Sequence, residues 1–102
     1  MAVMVAQGGY ATLEAESGAE ALQLAEANCV NLLVTDVEMP GMSGPELVSV
    51  LKQRRLIERS LLVTGNADAI DHLHGLHGSI PLLAKPFNAT QLLEKVYGIL
   101  ND

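Results

Sequence analysis

Apolar and polar positions along this chain follow two different periods, and the changes of period mark its elements. Short apolar or β-branched runs lie at Tyr10 to Glu16, Val30 to Thr35, Leu61 to Thr64 and Leu82 to Ala84. Each is bounded by turn formers and too short for a helix, so each is predicted as a strand. Between them, apolar residues step at helical spacing: Ala21, Leu22 and Ala25; then Leu47, Val50 and Leu51, with Arg54 on the same step; then Leu92, Val96, Ile99 and Leu100. The last set is expected to be core. Three helical stretches open on one polar signature, Ser17 before Glu20, Ser43 before Glu46 and Asn88 before Gln91, with two residues between the partners. The first oxygen accepts from an orphan backbone N–H and the Glu or Gln reaches back, a cap worth about 1 kcal/mol. Asp68 ahead of Ala69-Ile70 is a weaker fourth start. From Tyr10 onward the order is β-α-β-α-β-α-β-α, the pattern of βαβ units around a parallel sheet. The segment Met1 to Gly9 stays open between the last turns of a glycine-ended helix and a strand returning through Gln7-Gly8-Gly9 as a hairpin.

A chain of 102 residues is one domain, and at 49% apolar it has enough for a core. Aromatics are 3% and Trp is absent, so that core is aliphatic. The net charge of −6, with no basic cluster beyond Arg54-Arg55, argues against nucleic acid or an anionic membrane as partner. The single cysteine, Cys29, has no internal disulfide partner and is expected as a small buried apolar residue. No apolar run is long enough to span a bilayer. Met1 to Ala6 lacks the basic flank and cleavage site of a signal peptide, so a cytoplasmic location is expected.

The central run Leu32-Leu33-Val34-Thr35-Asp36 delivers one carboxylate straight into the turn formers Val37-Glu38-Met39-Pro40-Gly41-Met42-Ser43-Gly44. A strand apolar on both faces belongs inside a parallel sheet, and its carboxyl end is where open α/β sheets place their chemistry. Thr64 ends the run Leu61-Leu62-Val63, and Lys85 ends Leu82-Leu83-Ala84. In a parallel sheet these ends lie side by side, so a carboxylate, a hydroxyl and an ammonium meet at one rim. That trio suits phosphoryl transfer: an acceptor, a hydrogen-bond donor to a phosphoryl oxygen, and a counter-charge. Lys85 precedes Pro86, which pushes it toward extended backbone and allows a cis bond. His74 and His77 stand one turn apart near His72, a conceivable surface metal pair for which ordinary exposed histidines are the expected reading.

From Gly9 to its end the chain resembles the receiver domain of two-component response regulators. The resemblance rests on Gly9-Tyr10, Ala15 with Gly18-Ala19-Glu20-Ala21-Leu22, the run from Asp36 through Met39-Pro40-Gly41-Met42-Ser43-Gly44, Val63-Thr64-Gly65 and Lys85-Pro86-Phe87. It implies a flavodoxin-like (βα)5 fold, a doubly wound parallel sheet, over a single domain at 1–102 that is incomplete at its N-terminus. It implies Asp36 as phospho-acceptor, Thr64 as switch hydroxyl and Lys85 as phosphoryl contact. Mg²⁺ would be held by Asp36 and the backbone carbonyl of Glu38, while the side chains of Glu38 and Asn66 flank the path of attacking water. The implied partner is a histidine kinase or phosphotransfer protein, and the implied role is phosphorelay signalling rather than an enzyme's. The stretch Pro81 to Phe87 also resembles receivers fused to sensor kinases.

Two departures qualify these expectations. The family's first strand, the acidic pair that ends it and most of the first helix have no counterpart, and Glu14 and Glu16 do not replace the acids. Mg²⁺ binding is therefore expected to be weak. In the family's sheet order the gap falls between the strands at Tyr10 and Val30, leaving two open edges. Met1 to Ala6 as a replacement strand, a partner chain such as a second copy, or upstream sequence would each repair it. Leu82 stands where many receivers carry a switching aromatic. Two alternatives follow: a degenerate receiver that binds proteins without phosphorylation, and, more remotely, a haloacid-dehalogenase-like phosphatase. The latter needs an aspartate where Glu38 stands, a later acidic pair and a substrate cap.

Overall fold

The computed structural model describes residues 2–6, 8, 11–38, 41–65 and 80–101. Within them lie β1 (Ala2–Ala6), β2 (Ala11–Ala15), α1 (Gly18–Ala27), β3 (Val30–Asp36), α2 (Gly44–Gln53), β4 (Ile57–Thr64), β5 (Leu82–Ala84) and α3 (Ala89–Leu100). The open question at the start of the chain resolves as a strand. Ala2, Met4 and Ala6 are buried while Val3 and Val5 are half-buried, a period of two.

The sheet order is β2-β1-β3-β4-β5. β3, β4 and β5 are parallel to one another, and β1 is antiparallel to both β2 and β3, so four strands run one way and β1 the other. The anticipated gap between β2 and β3 is thus filled by the first of the three expected repairs: Ala2–Ala6 takes the slot as a replacement strand, running in reverse. The connection explains the direction. A parallel neighbour needs a crossover of about a dozen residues, whereas the short link from Ala6 to Ala11 permits only an antiparallel return.

On one face of the sheet α1 and α2 bury Ala2, Met4, Ala15, Val30, Leu33 and Leu62 beneath Ala21, Ala25, Leu47, Val48 and Leu51. The three predicted caps are present. Ser17 accepts from the Glu20 amide and Ser43 from the Glu46 amide, each at 3.2 Å, and Asn88 with Gln91 completes both halves of a capping box. α2 ends as a Schellman turn, in which the Leu56 amide donates to the Leu51 carbonyl (2.9 Å) and the Arg55 amide to that of Lys52 (3.0 Å). Arg55 holds the left-handed position at φ 58°. β4 starts earlier than the apolar run because Glu58, Arg59 and Ser60 extend it, and Ser60 is buried despite its hydroxyl.

Two expectations are revised. Cys29 is exposed in the α1–β3 connection. The stripe Leu92, Val96, Ile99 and Leu100 is only half-buried, and α3 has no buried residue.

Candidate functional site

Asp36 is the last residue of β3, Thr64 the last of β4, and Lys85 follows the last residue of β5. The parallel registers set Asp36 opposite Val63 and Thr64 opposite Ala84, so all three reach one rim. The Lys85 amide donates to the Thr64 carbonyl at 2.7 Å, and the Lys85–Pro86 bond is cis.

The loop after Asp36 is fixed by its backbone. The Val37 amide donates to the Val63 carbonyl at 2.9 Å, carrying the ladder one residue past the carboxylate, and the Gly44 amide donates to the Val37 carbonyl at 2.7 Å. Gly44 allows this close approach. A Cβ there would be driven into the Asp36 carbonyl oxygen and would lie 3.1 Å from its carbonyl carbon and from Val37 Cα. Gly41 turns the loop at φ +79°. Met42 lies over the start of α1, where a Cβ on Gly18 would come within 2.9 Å of Met42 Cβ, and Met42 packs on the core, as a loop-packing residue should.

Asp36, Val37, Glu38, Val63, Thr64, Gly65 and Lys85 line a cleft of about 270 Å³. Lys85 Nζ stands 2.9 Å from Asp36 Oδ1, with the two side chains 48% and 28% exposed. Partial burial pushes the Asp36 carboxyl up, but the opposing contacts, the Lys85 hydrogen bond foremost, outweigh it and hold the group below its ordinary 3.8. It is therefore ionised at neutral pH. Thr64 is buried at the wall of the cleft, and Glu38 is exposed at its edge. Asp36, Thr64 and Lys85 are thus brought together. Met39, Pro40, Asn66, Asp68, His72, His74 and His77 lie outside the described residues. Sequence reasoning missed the part played by Gly44. A glycine directly after a cap, where a better helix former would be expected, was the available signal.

The donor set can be tested for a divalent cation. Among the described residues no three His, Cys, Asp or Glu side chains gather. Because β1 is reversed, the residue it sets beside Thr35 is Ala2, so the neighbouring strand brings no carboxylate to Asp36. Glu16 follows β2 at the same rim, but two strand spacings away, about 10 Å. With Asp36 already paired to an ammonium, these residues do not make a fitting Mg²⁺ site.

Among the described residues, no helix is long and apolar enough to cross a membrane. The family model of the response regulator receiver domain matches residues 1–97. The alkaline phosphatase synthesis transcriptional regulatory protein PhoP of Bacillus subtilis is 33% identical over 92% of this chain and 40% of its own length. Histidine kinase P4 of Formosa agariphila is 37% identical over 91% of the chain and 7% of its own. The chain therefore spans less than half the length of these curated relatives. The crystal structure of a putative response regulator from Chloroflexus aurantiacus superposes with a TM-score of 0.72 at 32% identity, covering 86% of this chain and 75% of that one. A mostly parallel five-stranded sheet in the flavodoxin-like order, carrying its carboxylate at the end of β3, agrees with these matches, and the chain belongs to the response regulator receiver domain family.

Proposed function

We propose that this receiver domain accepts a phosphoryl group on Asp36 from a histidine kinase or phosphotransfer protein and thereby switches a protein-binding surface. The observation that carries the reading is the 2.9 Å pair of Lys85 and Asp36 in a cleft that also holds Thr64. An Asp36 carboxylate oxygen attacks the phosphorus of a phosphohistidine. The P–O bond forms as the P–N bond breaks, and the imidazole keeps the electron pair and takes up a proton. The new phosphate carries about −1.5 to −2 charge. Lys85 offsets that charge, and the Thr64 hydroxyl donates to a phosphoryl oxygen. Drawing these two groups inward shifts β5 and its flanks, including the half-buried Leu82. Glu38, exposed at the cleft edge, is placed to influence how water reaches the acyl phosphate.

A second reading is favoured by one observation, the alanine that β1 sets beside the site. It is a receiver that binds partners without phosphorylation. Incubation with acetyl phosphate, followed by intact mass and acid/base lability, separates the two. One base-labile phosphate per chain, lost in Asp36→Asn, is the expected result. A chain that stays unlabelled under acetyl phosphate and under a panel of phosphorylated kinase domains would support the second reading. Continuous turnover of a generic phosphate ester would contradict both.

A further inference from the structure

We propose that Lys85, rather than a divalent metal, supplies standing counter-charge to Asp36 at this site, and that the chain binds Mg²⁺ only weakly. The functional consequence rests on Asp36 being the phospho-acceptor, whereas the binding claim rests on geometry alone.

Three observations carry it. The Lys85 ammonium already lies 2.9 Å from one Asp36 oxygen. A dication bound to the same carboxylate would have to displace that ammonium or sit against its charge. The strand next to β3 runs backwards, so it sets Ala2 beside Thr35 and contributes no acid. Among the described residues, the remaining acids at this rim are Glu38, exposed at the cleft edge, and Glu16, beyond the width of β1. Mg²⁺ holds its ligands at about 2.0–2.1 Å in near-octahedral order and gives up water reluctantly. The Glu16 backbone is two strand spacings, about 10 Å, from that of Asp36, so the fold does not hold its carboxylate beside Asp36 as an adjacent strand would. The resting pair of Asp36 and Lys85 is neutral, which leaves little net charge to offset dehydration.

When the phosphoryl group comes from acetyl phosphate, the Asp36–P bond forms, the acetyl O–P bond breaks and acetate leaves with the electron pair. Lys85 is a positive group already in place for that transfer, and labelling should be slow and indifferent to Mg²⁺.

Two measurements on the whole chain decide the matter, with the metal alone as probe in the first. In a Mg²⁺ titration followed by backbone amide shifts, the amides at 36–38 and 64–65 should show no saturation up to about 10 mM, a range in which competent oxygen sites fill. Lys85→Met should raise the apparent affinity by about threefold or more, since it removes the competing charge. Saturable binding at about 1 mM or tighter, lost in Asp36→Asn, would overturn the proposal. The second measurement compares acetyl phosphate labelling in EDTA and in Mg²⁺. Rates within about twofold support the proposal, and a drop of more than about tenfold in EDTA overturns it while leaving the acceptor role of Asp36 intact. If neither condition labels the chain, the acceptor reading fails, and the titration still decides the binding claim.

Discussion

The two faces of this sheet are built from the same alternation and end up in different states. On one face α1 and α2 bring alanines and leucines down on Met4, Leu33 and Leu62, which are fully buried. On the other, Leu32, Leu61 and Val63 of the sheet are buried as well, but α3, which packs against β4, has no buried residue of its own. A groove of about 380 Å³ remains there, walled by Val3, Val5, Val34, Leu92 and Val96 and reaching Asp36 and Lys85. A twelve-residue amphipathic helix is marginal alone and takes its stability from packing. The comparison therefore teaches that α1 and α2 are built into the core, while α3 is held by its cap and half a contact surface. It also shows the candidate site lying where the two regimes meet, its loop anchored to the closely packed face and its lysine on the looser one.

The largest effect is expected where packing is tightest. Leu51→Ala removes a fully buried side chain and should cost about 2–5 kcal/mol in denaturant unfolding. A cost below about 1 kcal/mol would mean that the α2 face relaxes as easily as the α3 face. Next comes Gly44→Ala, which must push the loop off the Asp36 carbonyl. It should cost about 1–3 kcal/mol by overpacking and also slow phosphate labelling, because the displaced backbone carries the acceptor. Unchanged stability and labelling would show that the loop is not pinned there.

Equal chemical losses should read out differently on the two sides. Ser43→Ala and Asn88→Ala each delete one cap, worth about 1 kcal/mol. At Ser43 the loss should appear in global unfolding, since α2 is integral to the core. At Asn88 it should appear mainly as faster amide exchange within α3, with a smaller change in the global midpoint. Identical global losses would erase the distinction.

These caps were legible in the sequence because they are local: a polar residue, a fixed spacing and an apolar step after it. The strand-end placement of Asp36, Thr64 and Lys85 was legible for a related reason, since short apolar runs stop where their polar residue begins. What was not legible depends on distant parts of the chain. Nothing in Ala2-Val3-Met4-Val5-Ala6 decides between a helix end and a strand, and its hairpin pairing and direction follow from the short link to Ala11 only once it is a strand. Ser60 and Arg59 hid the start of β4 because a polar residue in a strand looks like its end. Cys29 was expected inside by residue type, yet it sits in a connection where type does not decide. The stripe of α3 has the spacing of a core helix, and spacing carries no information on whether a second layer covers it.

Acid should unpick the site with a smaller effect than these, because the Asp36–Lys85 pair is partly exposed on both sides. The Asp36 carboxyl titrates below its ordinary 3.8 in the folded chain. Its contribution is therefore fully present above that value and is lost as pH falls through the depressed folded one. Asp36→Asn should flatten that segment of the stability–pH curve and leave the curve above about pH 5 parallel to the original. A curve unchanged across the acid limb would mean that the pair is not formed in solution.

The smallest effect is expected on the outer side of α3, and it tests the comparison most directly. Leu93 and Tyr97 are 65% and 70% exposed, one turn apart, and with Leu100 they line a shallow apolar groove. If that surface faces water, Leu93→Ala loses little buried area and gains slightly in helix propensity, so unfolding should change by no more than about 0.5 kcal/mol in either direction. The same leucine-to-alanine change at Leu51 costs several times as much, and the ratio measures how unequal the two faces are. Protein concentration is the control, since a surface covered by association would make the cost of Leu93→Ala grow as the chain is concentrated. A concentration-independent loss of about 2 kcal/mol would place Leu93 in a packed environment within the chain and would remove the contrast between the two faces.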